Sequence, residues 1–243
     1  MATNYLLTKG NRELAKDGVF TWSIPALSAR ARIGDVQKLV VTCPQAGICA
    51  KLCYARSGTY RFSNVQKAHV AKLEMVLNDL PGWEKRLTEE LRARRYRGGK
   101  YVRIHDSGDF FSRDYLEAWA RIAQATPDVT FYAYTKEVSL TKLVELPSNF
   151  VMIFSMGGKE DHLVDKDRDR HADVFPNLES LEEAGYTDQT ESDILAATMP
   201  SHRVGIVVNN IPHLKKAQGV NTFSALQVEL NSRIALYAGR SRD

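Results

Sequence analysis

Tyr101-Val102-Arg103-Ile104-His105-Asp106-Ser107-Gly108-Asp109 is the stretch whose reading decides the fold. Its apolar, β-branched start reads as a buried strand, and it stops on a polar turn containing glycine. A helix follows. Ser112 is a good N-cap, and Tyr115, Leu116, Trp119, Ile122 and Ala123 form an apolar stripe before Pro127. A second strand then runs from Val129 to Thr135. Strand, helix and strand in this order imply parallel pairing, because a parallel neighbour is reached only through a crossover.

The same alternation extends in both directions. Lys38 to Thr42, Phe150 to Ser155 and Arg203 to Val208 read as further buried strands. Val65, His69, Leu73, Val76 and Leu80 line one helix, and Trp83, Leu87 and Leu91 a second. Phe223, Leu226, Leu230, Ile234 and Tyr237 mark a final helix, with Gly239 expected just beyond its end. The expected fold is α/β, a partial or open (β/α) barrel around a parallel sheet. Closure and an open sheet both fit. The 243 residues suit one α/β domain, 1–243, in which the carboxylate-rich stretch 159–195 reads as an insertion or a lid.

Composition excludes some classes. At 44% hydrophobic and 26% charged, the chain is neither disordered nor fibrous. No apolar run is long enough to span a bilayer, and residues 1–10 lack the apolar stretch of a secretory leader, so a cytoplasmic location without membrane contact is expected. The net charge of +4 is mild, but Arg92, Arg94, Arg95, Arg97, Lys100 and Arg103 cluster around Tyr96 and Tyr101. Such a cluster suits either nucleic-acid phosphates or a solvated helix end.

The strand endings share a character. Thr42-Cys43-Pro44, His105 to Asp109, Tyr134-Thr135-Lys136, Ser155-Met156-Gly157-Gly158 and Asn209-Asn210 are all polar. In parallel α/β folds these endings line the binding site. All three cysteines, Cys43, Cys49 and Cys53, fall in one such loop with the spacing Cys-x5-Cys-x3-Cys. An odd number of thiols in one loop argues against a disulfide framework and for a metal. Three thiolates suit a [4Fe-4S] cluster with one open iron. Zinc is the alternative metal, and would need a fourth ligand such as His69 or His105. His162, His171, His202 and His213 show no metal spacing.

Cys43-Pro44-x-Ala46-Gly47-x-Cys49-x3-Cys53-Tyr54-Ala55, together with Val102 to Phe110, Phe131 to Lys136 and Ser148-Asn149, resembles the phage and plasmid family named after mycobacteriophage gene product eighty-eight. The resemblance covers roughly residues 20 to 160, and many family members carry further cysteines near the C-terminus that this chain lacks. The Cys-Tyr-Ala ending also resembles a second phage family, itself similar to radical S-adenosylmethionine (SAM) enzymes. These place a three-cysteine loop after the first barrel strand and bind SAM at the open iron, but with the spacing Cys-x3-Cys-x2-Cys. That resemblance implies a SAM site at Ser107, Gly108 and Asp109, with Ser155 beside it.

His105 and Asp106 alternate on their strand, so one of the two is expected to point inward. His105 and Lys136 are the candidate catalytic side chains. The leading expectation is a radical SAM-like enzyme acting on an unknown substrate. A metal-braced nucleic-acid-binding accessory protein, using Arg92, Arg94, Arg95, Arg97 and Lys100, and an iron–sulfur redox sensor are the rivals.

Overall fold

A computed structural model describes residues 5–96 and 100–240. A short strand β1 (Thr8–Lys9) and helix α1 (Arg12–Lys16) lead into β2 (Phe20–Trp22). A hairpin of β3 (Ser28–Ile33) and β4 (Val36–Val41) follows, then the cysteine loop with α2 (Cys49–Leu52). Helices α3 (Ser63–Asn78) and α4 (Leu80–Leu91) precede β5 (Lys100–Ile104), α5 (Arg113–Ala125) and β6 (Val129–Thr135). Next come α6 (Val138–Thr141), β7 (Phe150–Ser155), β8 (His171–Phe175), α7 (Leu178–Glu183) and β9 (Thr187–Asp188). The chain closes with α8 (Leu195–Thr198), β10 (Arg203–Val207), α9 (Pro212–Gln218) and α10 (Phe223–Arg240).

Eight strands form one sheet in the order β1-β2-β5-β6-β7-β8-β10-β9. Every ladder is parallel except β1 with β2. From β2 to β8 each strand pairs with the next strand of this sheet along the chain; beyond β8 the order reverses, because β10 returns between β8 and the edge strand β9. The sheet is open, with β1 and β9 at its edges. Strand β6 is nearly continuous core, as a parallel strand covered on both faces must be. Its Phe131 and Ala133 join one apolar cluster with Leu73, Trp83, Leu87 and Trp119 from α3, α4 and α5. Tyr132 faces the other, with Leu14, Ala196 and Met199.

The stretch around Tyr101 to Asp109 folds as its residues dictate. Ser112 caps α5 by accepting from Tyr115 N at 3.4 Å, and the helix stops at Thr126, before Pro127. Several boundaries move. Leu80 belongs to α4 rather than to the helix before it, because Asp79 caps a new start by accepting from Gly82 N, and Pro81 fits only a first helical turn. Helix α10 continues past Gly239 to Arg240.

Two corrections matter more. The run Lys38 to Thr42 is not a buried core strand. It lies in the exposed β3–β4 hairpin, with Leu39 67% exposed. A short β-branched run reads alike for a core strand and a ribbon. The first parallel strand is the three-residue β2, so the cysteine loop follows it only after this inserted hairpin. The stretch 159–195 supplies β8, whose Ala172 and Phe175 are buried, and pairs it with β7 and β10.

Candidate functional site: a cleft at the strand ends

The polar endings predicted from the sequence converge. A cleft of about 1230 Å³ is lined by Cys43, Cys49 and Cys53, by residues 105–109, by Thr135 and Lys136, and by Ser155, Asn209 and Asn210.

The cysteine loop is clamped from several sides. Thr42 O accepts from Asp109 N at 3.0 Å, and Gln45 N donates to Glu137 Oε1 at 2.9 Å. Cys49 N donates to Gly157 O at 3.2 Å, and Ile48 N donates to Gln227 Oε1 of α10 at 2.6 Å. Gly47 makes this docking possible. Its φ is 52°, and a Cβ there would stand 2.3 Å from Gln227 Oε1 and 2.7 Å from Gly157 O. Leu27 N donates to Cys43 Sγ at 3.2 Å.

All three thiols are free and half-buried. Burial, then the nearby Asp109 carboxylate, pushes the Cys43 thiol far up. Burial and the neighbouring Cys49 push Cys53 up to about 11. Among the described residues, no three His, Cys, Asp or Glu side chains are gathered as they would be around one metal ion. Neither His69 nor His105 therefore completes a tetrahedral set with the thiols.

The other candidates divide. Asp109 Oδ1 accepts from Phe110 N and Thr135 Oγ1, and Oδ2 accepts from Lys136 N. The carboxylate thus ties β5's ending to that of β6. Lys136 is buried, and its Nζ donates to Ser155 O, Ser155 Oγ and Met156 O at 2.8–2.9 Å, which uses all three ammonium hydrogens. Gly108, with φ at 89°, makes room for Ile24, whose Cγ1 lies 2.3 Å from where its Cβ would be. Close packing, rather than approach of a ligand, explains that glycine.

His105 departs from expectation. Its φ of 64° breaks strand alternation, so both His105 and Asp106 line the cleft. Burial holds its imidazole down at about 3, and the neutral ring shares a hydrogen bond with Tyr115 Oη at 2.9 Å. Leu27 and His105 are the two non-glycine residues with positive φ among those described, and both line the cleft. Of six buried side-chain polar atoms without a partner among the described residues, four belong to cleft residues: Arg103 Nε, His105 Nδ1, Ser107 Oγ and Gln218 Oε1. Backbone strain and unmet polar atoms concentrate at binding sites.

Sequence reasoning missed the arginine at the centre of this cleft. Arg103 does not join the basic cluster. It pairs with Asp193 at 3.0 Å and with Asp106 at 3.5 Å, beneath the Tyr134 ring. Asp106 also accepts from Tyr54 and Tyr60, and Asp193 from Tyr132. The signal was present: Val102 and Ile104 are core residues, so the alternating Arg103 had to face the other way. Arg95 stacks on Tyr5, Phe20 and Tyr96, while Arg92 and Arg94 are exposed. Arg97 lies outside the described residues. This basic group sits at the start of β5, and the cleft lies at its end. Among the described residues no helix is long and apolar enough to cross a membrane.

Two curated relatives are similar over part of their length. The Gene 88 protein of Mycobacterium phage L5 is 34% identical over 112 residues, 39% of this chain and 43% of that protein. The Gene 88 protein of Mycobacterium phage D29 is 36% identical over 106 residues, 39% of this chain and 42% of that protein. The chain thus spans less than half the length of these relatives. No solved structure matches it. A family model described as Gene product 88 matches residues 4–235, nearly the whole sequence, and the chain belongs to that family.

Proposed function

We propose that the chain holds an iron–sulfur cluster on Cys43, Cys49 and Cys53 and acts as a radical SAM-like enzyme on a molecule seated in the cleft. One observation carries the reading: the three thiols and the polar strand endings open on the same void. The sequential order from β2 to β8 also supports the reading, since a partial (β/α) barrel winds that way. A cluster with one open iron supplies a coordination site for a small ligand and a single electron.

The chain's own groups would bind and orient. Ser155 accepts from Lys136 and keeps a hydroxyl hydrogen to donate, and Ser107 has an unpartnered hydroxyl. The Asp109 carboxylate, taken up by protein donors, acts by holding the β5 and β6 endings together. His105 stays neutral, which suits a hydrogen-bonding role better than that of a cation. Zinc fits less well, since no histidine joins the thiols.

Anaerobic purification tests the reading. We expect a brown protein with about four irons and four sulfides per chain, and loss of both when any one cysteine becomes serine. Reduction in the presence of SAM should then cleave SAM. A colourless, zinc-loaded protein would overturn the cluster, and a brown protein inert toward SAM would overturn the enzyme.

A further inference from the structure

Helix α3 brings two polar side chains to the cleft that play no part in the cysteine loop. His69 and Lys72, one turn apart, both line the void. Each is held by an aromatic ring. Lys72 Nζ lies 4.9 Å from the centre of the Trp22 ring, and the His69 ring lies 6.0 Å from that of Tyr60. Neither has a hydrogen-bond or ion-pair partner among the described residues. The acids around them are engaged. Glu90 accepts from Leu6 N, Leu7 N and Tyr96 Oη. Asp106 is taken by Arg103, Tyr54 and Tyr60.

A half-buried ammonium whose neighbouring carboxylate, Glu90, is committed to other donors has lost hydration and gained little in return. The more deeply buried cleft cations differ. Lys136 is surrounded by acceptors and Arg103 by two carboxylates. We infer that His69 and Lys72 form an anion-binding subsite on the α3 wall, which takes a carboxylate or phosphate of the molecule that occupies the cleft. The titration of the pair agrees. Burial pulls Lys72 down to about 8, and burial with the adjacent Lys72 holds His69 at about 4. Both are what an unmet demand for negative charge produces. The subsite is independent of the metal group, so the two readings fail separately.

The test uses the metal-free chain, with inorganic phosphate and acetate as probes and chloride at matched ionic strength as the screening control. Modification of Lys72 by acetic anhydride, followed by peptide mass spectrometry, should slow saturably with at least one probe, while exposed Lys38, outside the cleft lining, does not respond. The His69 ring resonances should shift over the same concentrations. Lys72→Gln should weaken that shift about tenfold or more, the loss expected for one charge-assisted contact, and Lys72→Arg should retain it. Phosphate acting alone would point to a phosphorylated ligand, and acetate alone to a carboxylate. Protection by neither probe, equal protection by chloride, or an unchanged shift in folded Lys72→Gln would overturn the subsite.

Discussion

On its helix-covered face the sheet packs Trp22 against Trp83 and Trp119, with Tyr115 beside them, at ring-centre separations of 5.1–6.4 Å. One residue beyond the end of β5, His105 stands in left-handed backbone with a ring nitrogen that finds no partner. The same strands therefore carry two environments. Near Trp22 and Ile104, apolar area is removed from water and the side chains interlock. In the cleft, charged and strained groups are held in place by that packing. The contrast teaches that the charged and strained groups of the cleft are positioned by the apolar core beneath them.

The largest expected break of this contrast is Trp119→Ala. It removes the fully buried indole that touches Trp22, Trp83, Tyr115 and Phe131. Urea unfolding should show a loss of about 3–5 kcal/mol. A loss below about 1 kcal/mol would mean the core collapses around the gap, contrary to a rigid support.

Arg103→Met should come next, at about 3 kcal/mol, because it strands Asp106 and Asp193 in a half-buried setting. A neutral result in the same unfolding assay would show that the cleft charges are no more costly to disturb than surface ones.

The third test uses acid. The folded-state value of His105, about 3, lies below the ordinary value of 6.5, so the unfolded chain takes up the proton first. Its contribution is fully present above pH 6.5 and is lost as pH falls toward 3, with a slope of about 1.4 kcal/mol per pH unit. His105→Asn, which tolerates positive φ, should flatten the profile of stability against pH by that one proton. An unchanged slope would sink the assignment.

The smallest effect is expected of Gly47→Ala, about 1–2 kcal/mol, from the positive φ and the contact with Gln227. Hydrogen exchange at Ile48 N should accelerate, while exchange in β6 stays slow. Equal acceleration in both would join the two regions into one cooperative unit.

Much of the core was legible in the sequence. The α5 stripe, its Ser112 cap and the β-branched run of β6 report local periodicity, and nothing in the tertiary structure overrides them. Strand β2 was not legible, because three residues are too few to show a period. The hairpin was misread because Leu39 and Val40 look alike in a ribbon and in a core. In the site, the three cysteines and five strand endings announced themselves by type and position. Arg103 did so only through its alternation with Val102 and Ile104, and His69 and Lys72 did not as a pair. Their importance depends on which partners are present or absent around them, and that is decided by residues far away in the chain.

Gln227 and Ile48, joined across the loop, lie 179 positions apart. The strands from β2 to β8 pair with the next in order, so that part of the sheet can assemble progressively as the chain leaves the ribosome. The loop that carries the thiols is secured only when α10 has been made. During synthesis there is thus an interval in which the sheet exists and Cys43, Cys49 and Cys53 are open to oxidation. Helix α10 is the element that closes it.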